Sequence, residues 1–81
     1  MSIQAQVTAI VAEVLEADAA TLSPTAGLVQ ELGMDSVLAI DIATAIEKAF
    51  KIKVPDQRLE EFATVGAIVA IVEELQVAGR A

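Results

Sequence analysis

The chain has no cysteine, histidine, tryptophan or tyrosine, and only Phe50 and Phe62 are aromatic. Without cysteine there is neither a disulfide staple nor a thiolate nucleophile, and a reducing compartment suits the chain. Without histidine, the usual base for a nucleophilic serine is missing. No Lys or Arg occurs before Lys48. Residues 1–20 lack the basic start and long apolar centre of a secretion signal. The longest apolar run, Val65 to Val72, is too short to span a bilayer. These absences point to a soluble cytoplasmic protein.

What is present is aliphatic and acidic. The 81 residues are 56% hydrophobic, mostly Ala, Val, Ile and Leu, and one hydrophobic pattern runs throughout. That predicts a single small domain over residues 1–81, acting as a monomer, with a thin aliphatic core. Twelve acids against five bases give a net charge of −7. Such a charge argues against nucleic acid and anionic membrane as partners. The stretch from Met1 to Glu47, which carries every acid of that half and no base, favours a basic protein surface as partner. The simpler reading is that the acids keep a small hydrophobic protein soluble.

The periodicity predicts helices only. Ile3, Val7, Ile10, Val11, Val14 and Leu15 recur at helical spacing, with Ser2 as N-cap. Residues 18–33 read as a long connection broken by Ser23-Pro24 and Gly27 and anchored by Leu22 and Leu28. A second helix starts at Asp35 or Ser36 and runs to Phe50. An extended link, residues 51–54, leads to a short third helix over residues 56–62. Thr64 caps a last helix, and residues 78–81 read as a frayed tail.

Ser36 poses the functional question. A hydrolytic serine needs a base within hydrogen-bond reach, and none stands near it. The Gly-x-Ser-x-Gly elbow is missing too, since Val37 and Leu38 follow Ser36. Ser36 is therefore either a helix cap or a serine modified by another enzyme. On the second helix Ile42, Ile46 and Phe50 share a core arc with Ala39 and Ala43, while Asp41, Thr44, Glu47 and Lys48 lie opposite. Val37 and Ile40 fall with the polar residues, beside Ser36. An apolar spot rimmed by acids suits protein binding, unless the long connection covers it.

The stretch Leu32-Gly33-Met34-Asp35-Ser36-Val37 resembles the Leu-Gly-x-Asp-Ser-Leu signature of acyl carrier proteins. The likeness extends through Asp41, Glu47, Phe50, Val54-Pro55-Asp56 and Thr64-Val65. It implies an all-α fold, a small four-helix bundle with a short third helix and a long loop between helices 1 and 2. It also implies a phosphoprotein rather than an enzyme. A phosphopantetheinyl transferase would move 4′-phosphopantetheine from coenzyme A onto Ser36, supplying its own base and metal, so the carrier itself needs no metal. Acyl groups then ride as thioesters on the cofactor's thiol, which explains why the chain needs no cysteine.

On this reading a helix N-terminus tolerates the new phosphodiester. Asp35 caps that helix and guides the transferase, and Gly33 frees the turn before it. Val37, Ile40, Asp41 and Glu47 form a recognition face for acyl-loading, synthase or transferase enzymes with basic docking surfaces. Leu59 and Phe62 pack against Ile46 and Ile68, where the resemblance places an acyl pocket. Two departures stand out: Val37 replaces the usual leucine, and Leu38 stands where fatty-acid-synthesis carriers often have an acid. They point to a specialised rather than housekeeping route within fatty-acid, lipid or polyketide biosynthesis. An aminoacyl or peptidyl carrier, and a helical interaction module without cargo, remain the alternatives.

Overall fold

The structure, a computed structural model, describes residues 2–78. The Oγ of Ser2 accepts a hydrogen bond from the Ala5 N–H at 3.1 Å and opens α1, Ile3–Leu15. Glu16 then turns left-handed, and the Ala17 N–H donates to the Ala12 carbonyl at 2.8 Å, closing the helix end. The second helix, α2, spans Ser36–Phe50 and ends on left-handed Lys51. A 3₁₀ helix covers Asp56–Glu61, and α3 covers Val65–Ala78. Thr64 opens α3, its Oγ1 accepting from the Ala67 N–H at 3.0 Å. Among the described residues all regular structure is helical, so the expected all-α, four-helix architecture is what the chain adopts. The expected tail begins with Ala78, which closes α3, and residues 79–81 lie outside the described residues.

The third helix is of the tighter 3₁₀ type. Pro55 starts it without a side-chain cap, and none of Asp56–Glu61 is fully buried. Six residues with so little burial do not sustain an α-helix in water. The segment is held by half-buried Leu59, by buried Phe62 just after it, and by Arg58. The Arg58 Nε donates to Glu61 Oε2 at 2.8 Å, and both terminal nitrogens reach the Glu74 carboxylate on α3.

The core gathers one stripe from each helix. Val7 and Val11 from α1 meet Ile42 and Ile46 from α2 and Ile68 and Val72 from α3, all essentially inaccessible to water. Phe50, expected on the core arc, is half-buried and packs at its edge. Of the two expected loop anchors, Leu28 is fully buried and Leu22 half-buried. The loop also meets α3 directly, where the Gly66 N–H donates to the Pro24 carbonyl at 3.0 Å. A Cβ on Gly66 would stand 3.3 Å from that oxygen, so only glycine lets the two segments approach freely.

Arg58 ties the 3₁₀ helix to α3, and this tie titrates. The hydrogen bond from Arg58, and then its charge, hold the Glu74 carboxyl below the usual glutamate range. Glu74 and then Glu61, by the same bonds, push the guanidinium above its ordinary value, so Arg58 stays charged at any working pH. A depressed carboxylate contributes stability above its unfolded pKa and loses it as pH falls through the folded one. Glu74→Gln should therefore melt below the parent at neutral pH, with the gap closing once pH drops below about 4. Thermal melts across pH check this; parallel curves for the two proteins would exclude it.

Candidate functional site

The loop delivers Ser36 to the start of α2 through a chain of backbone bonds. The Glu31 N–H donates to the Gly27 carbonyl at 2.8 Å, and the Gly33 N–H to the Val29 carbonyl at 3.2 Å. Gly33 itself sits at φ +72°, the left-handed region that a side chain resists. The Met34 N–H then donates to the Leu28 carbonyl at 2.9 Å, and Met34 buries its side chain.

Asp35 is the N-cap. Its Oδ1 accepts from the Leu38 N–H at 2.9 Å, and its carbonyl accepts from the Ala39 N–H at 2.9 Å. This removes the capping role from Ser36, whose exposed hydroxyl has no hydrogen-bond partner among the described residues. The Ser36 and Val37 amides at the same helix end remain open to solvent. A free hydroxyl beside two free amides, at the positive end of a helix dipole, is chemically suited to carry a phosphodiester.

A cleft of about 490 Å³ opens next to Ser36, between the loop, the start of α2 and the 3₁₀ helix. Val29, Met34, Leu59, Phe62 and Ala63 give it apolar walls, and Gln30 and Glu60 stand at its polar edge. Leu59 and Phe62 were expected at such a site. Ile46 and Ile68 are not brought into the cleft; both are sealed in the core that backs it. Val29, Met34, Gln30 and Glu60 were not anticipated. Met34 stands two residues beyond Leu32 and six beyond Leu28. Only the folded loop turns these residues to one side.

The recognition residues divide. Val37 is 65% and Ile40 51% exposed, so the loop does not cover them. Asp41 is exposed beside them. Leu38 packs on the core, and Ala39 is buried, so neither position belongs to the outer face. Glu47 is half-buried, and its Oε2 accepts from the Val54 N–H at 2.8 Å. That carboxylate is engaged in holding the link before the 3₁₀ helix.

Residues 5–72 match the family described as the phosphopantetheine attachment site. Acyl carrier proteins from two strains of Helicobacter pylori are 35% and 33% identical to this chain over 78 residues. Each match covers 96% of this chain and 100% of the relative. The chain belongs to the acyl carrier protein family. Its prosthetic group is covalently attached 4′-phosphopantetheine, and its members are carriers rather than enzymes. Among the described residues, no helix is long and apolar enough to cross a membrane.

The division of labour between Asp35 and Ser36 is measurable. Asp35→Ala should cost about 1 kcal/mol of folding stability through the lost cap, and Asp35→Asn should retain most of it. Ser36→Ala removes no bond and should stay within about 0.5 kcal/mol of the parent. Urea denaturation of the three variants distinguishes these outcomes. A large loss for Ser36→Ala would mean that its hydroxyl is structural.

Proposed function

We propose that residues 1–81 act as one carrier domain whose Ser36 receives the phosphopantetheine and so carries acyl intermediates between biosynthetic enzymes. The observation that supports this most directly is the unpartnered Ser36 hydroxyl at the mouth of an apolar cleft. Ser36 supplies the attacking oxygen, while a phosphopantetheinyl transferase with coenzyme A supplies base and metal. Once attached, the cofactor provides the thiol on which acyl groups are held as thioesters. Asp35 keeps the helix end formed during the exchange, and Gly33 lets the preceding loop turn sharply into it.

Val37, Ile40 and Asp41 form the face that meets basic residues around a partner's active-site entrance. Glu47 supports this face from within, by fixing the link behind it, rather than as a free charge. Fatty-acid, lipid or polyketide assembly in the cytoplasm, with the carrier as a monomer, suits these features. An outer face with Asp41 as its acid beside two apolar groups favours a specialised pathway over the housekeeping one. Profiling the acyl groups on protein isolated from its host tests that choice, and aminoacyl cargo would overturn it.

Incubation with coenzyme A and a promiscuous transferase should add one phosphopantetheine to the wild type and none to Ser36→Ala, read by intact mass. Rim charges mainly set association rate and its salt sensitivity. Asp41→Lys should therefore slow the modification most at low salt. Modification of the Ser36→Ala variant, or none of the wild type across several transferases, would overturn the carrier reading.

The cleft leads from Ser36 towards Leu59 and Phe62, and a carried acyl chain enters it. Parting the 3₁₀ helix from α2 would admit the chain towards Ile46 and Ile68. Each buried methylene contributes about 0.8 kcal/mol, less the cost of separating the helices. A medium-chain acyl form should melt higher than the pantetheine form and exchange amide hydrogens more slowly around Leu59 and Phe62. Identical melting and exchange would place the chain in solvent.

A further inference from the structure

Among the described residues, the lysines of this acidic chain are gathered where Ser36 is not. Arg58 is committed to Glu61 and Glu74. Lys48, Lys51 and Lys53 are exposed and make no ion pair among the described residues. All three border one groove of about 750 Å³, between the C-terminal end of α2, the link after it and the end of α3. Half-buried Ile52 and Leu75, both packed on the core, form its apolar floor. The carboxylate at the groove, Glu47, points an oxygen at the Val54 N–H. Three lysines against that one carboxylate leave the groove lining a net charge of +2.

Helix electrostatics accounts for part of this arrangement. Lys48 in the last turn and Lys51 at the end of α2 complement the negative end of the helix dipole. Lys53 lies beyond the last turn and gains nothing from it. A chain with twelve acids has carboxylates enough to pair three lysines, yet they stay open around an apolar floor. A flat bilayer surface does not fill a recess. The complementary shape is an apolar protrusion flanked by carboxylates.

We propose that this groove docks an acidic amphipathic segment of a partner protein, with apolar side chains on Ile52 and Leu75 and flanking Asp or Glu on the three lysines. The site stands apart from the carrier reading. Along α2 the groove begins at Thr44, about 12 Å from Ser36, and Lys48 and Lys51 lie about 18 and 22 Å away. These distances exceed the Debye length of roughly 8 Å at physiological salt, so charges at one end are screened from the other. A partner held here leaves Ser36 free and tethers the chain near its enzymes, raising their effective concentration.

Isotope-labelled full-length protein titrated with a blocked helical peptide, leucine on one face and glutamate along its edges, provides the test by NMR. Shifts should centre on residues 44–53 and 75–78. Affinity should fall about ten-fold when the peptide's leucines become serine, and similarly in the triple variant Lys48→Ser, Lys51→Ser, Lys53→Ser. The matching triple Lys→Arg variant should bind as the parent does, and Ser36 modification should proceed equally in all. Equal affinity for the leucine and serine peptides would reduce the groove to simple charge attraction and overturn the proposal. So would no binding, shifts centred elsewhere, stronger binding to anionic phospholipid vesicles, or self-association abolished by the lysine changes.

Discussion

The backbone of Leu28 makes two hydrogen bonds on which the position of the site depends. Its N–H donates to the Ala63 carbonyl, and its carbonyl accepts from the Met34 N–H, each at 2.9 Å. The side chain between them is fully buried among residues of the helices. One residue thus joins the long loop to the turn between the 3₁₀ helix and α3, and brings the chain back towards α2. Burial of a leucine stabilises by about 1.5–3 kcal/mol, and the paired backbone groups avoid the cost of entering the core unsatisfied. With Leu28 seated, Gly33 turns, Asp35 reaches its capping position, and Ser36 faces outward at the cleft.

The cleft owes its place to the weakest element. Its far wall is a 3₁₀ helix with no fully buried residue, pinned by Leu59 and Phe62 on one side and by Arg58 on the other. Exposed ion pairs contribute modestly and yield to salt. A wall held this way separates from α2 at lower cost than any interface between the longer helices, whose stripes are sealed. Polar Gln30 and Glu60 stand at the rim, while the deeper walls are apolar.

Charge is distributed along α2 as deliberately as hydrophobicity is around it. Asp35 and Asp41 stand near its N-terminal end and Lys48 and Lys51 near its C-terminal end, each sign opposite to the local helix charge. The arrangement stabilises the helix and also divides the surface into an acidic end with exposed Ser36 and a basic end with a groove. Glu47 borders the basic groove and also holds the backbone beyond it. Its bond to Val54 sets the path from α2 to the 3₁₀ helix and so reaches the cleft indirectly.

The helices and their caps were legible in the residues themselves, because capping and 3.6-residue periodicity are local. Ser2, Asp35 and Thr64 cap where the pattern begins, and the apolar arc of Ile42 and Ile46 points inward as its spacing requires. Exposed Val37 and Ile40 and the family likeness around Ser36 were equally readable. Tertiary structure alone decided the rest. It left the Ser36 hydroxyl without a hydrogen-bond partner among the described residues, which depends on what the folded chain brings near it. It turned Val29, Met34 and Gln30 towards Leu59, because a loop without periodicity carries no signal of which way its side chains face. It made the third helix 3₁₀, and it engaged the Glu47 carboxylate with a backbone partner seven residues away. Contacts between segments distant in sequence depend on how the chain closes, and that closure is a property of the whole core rather than of any one stretch.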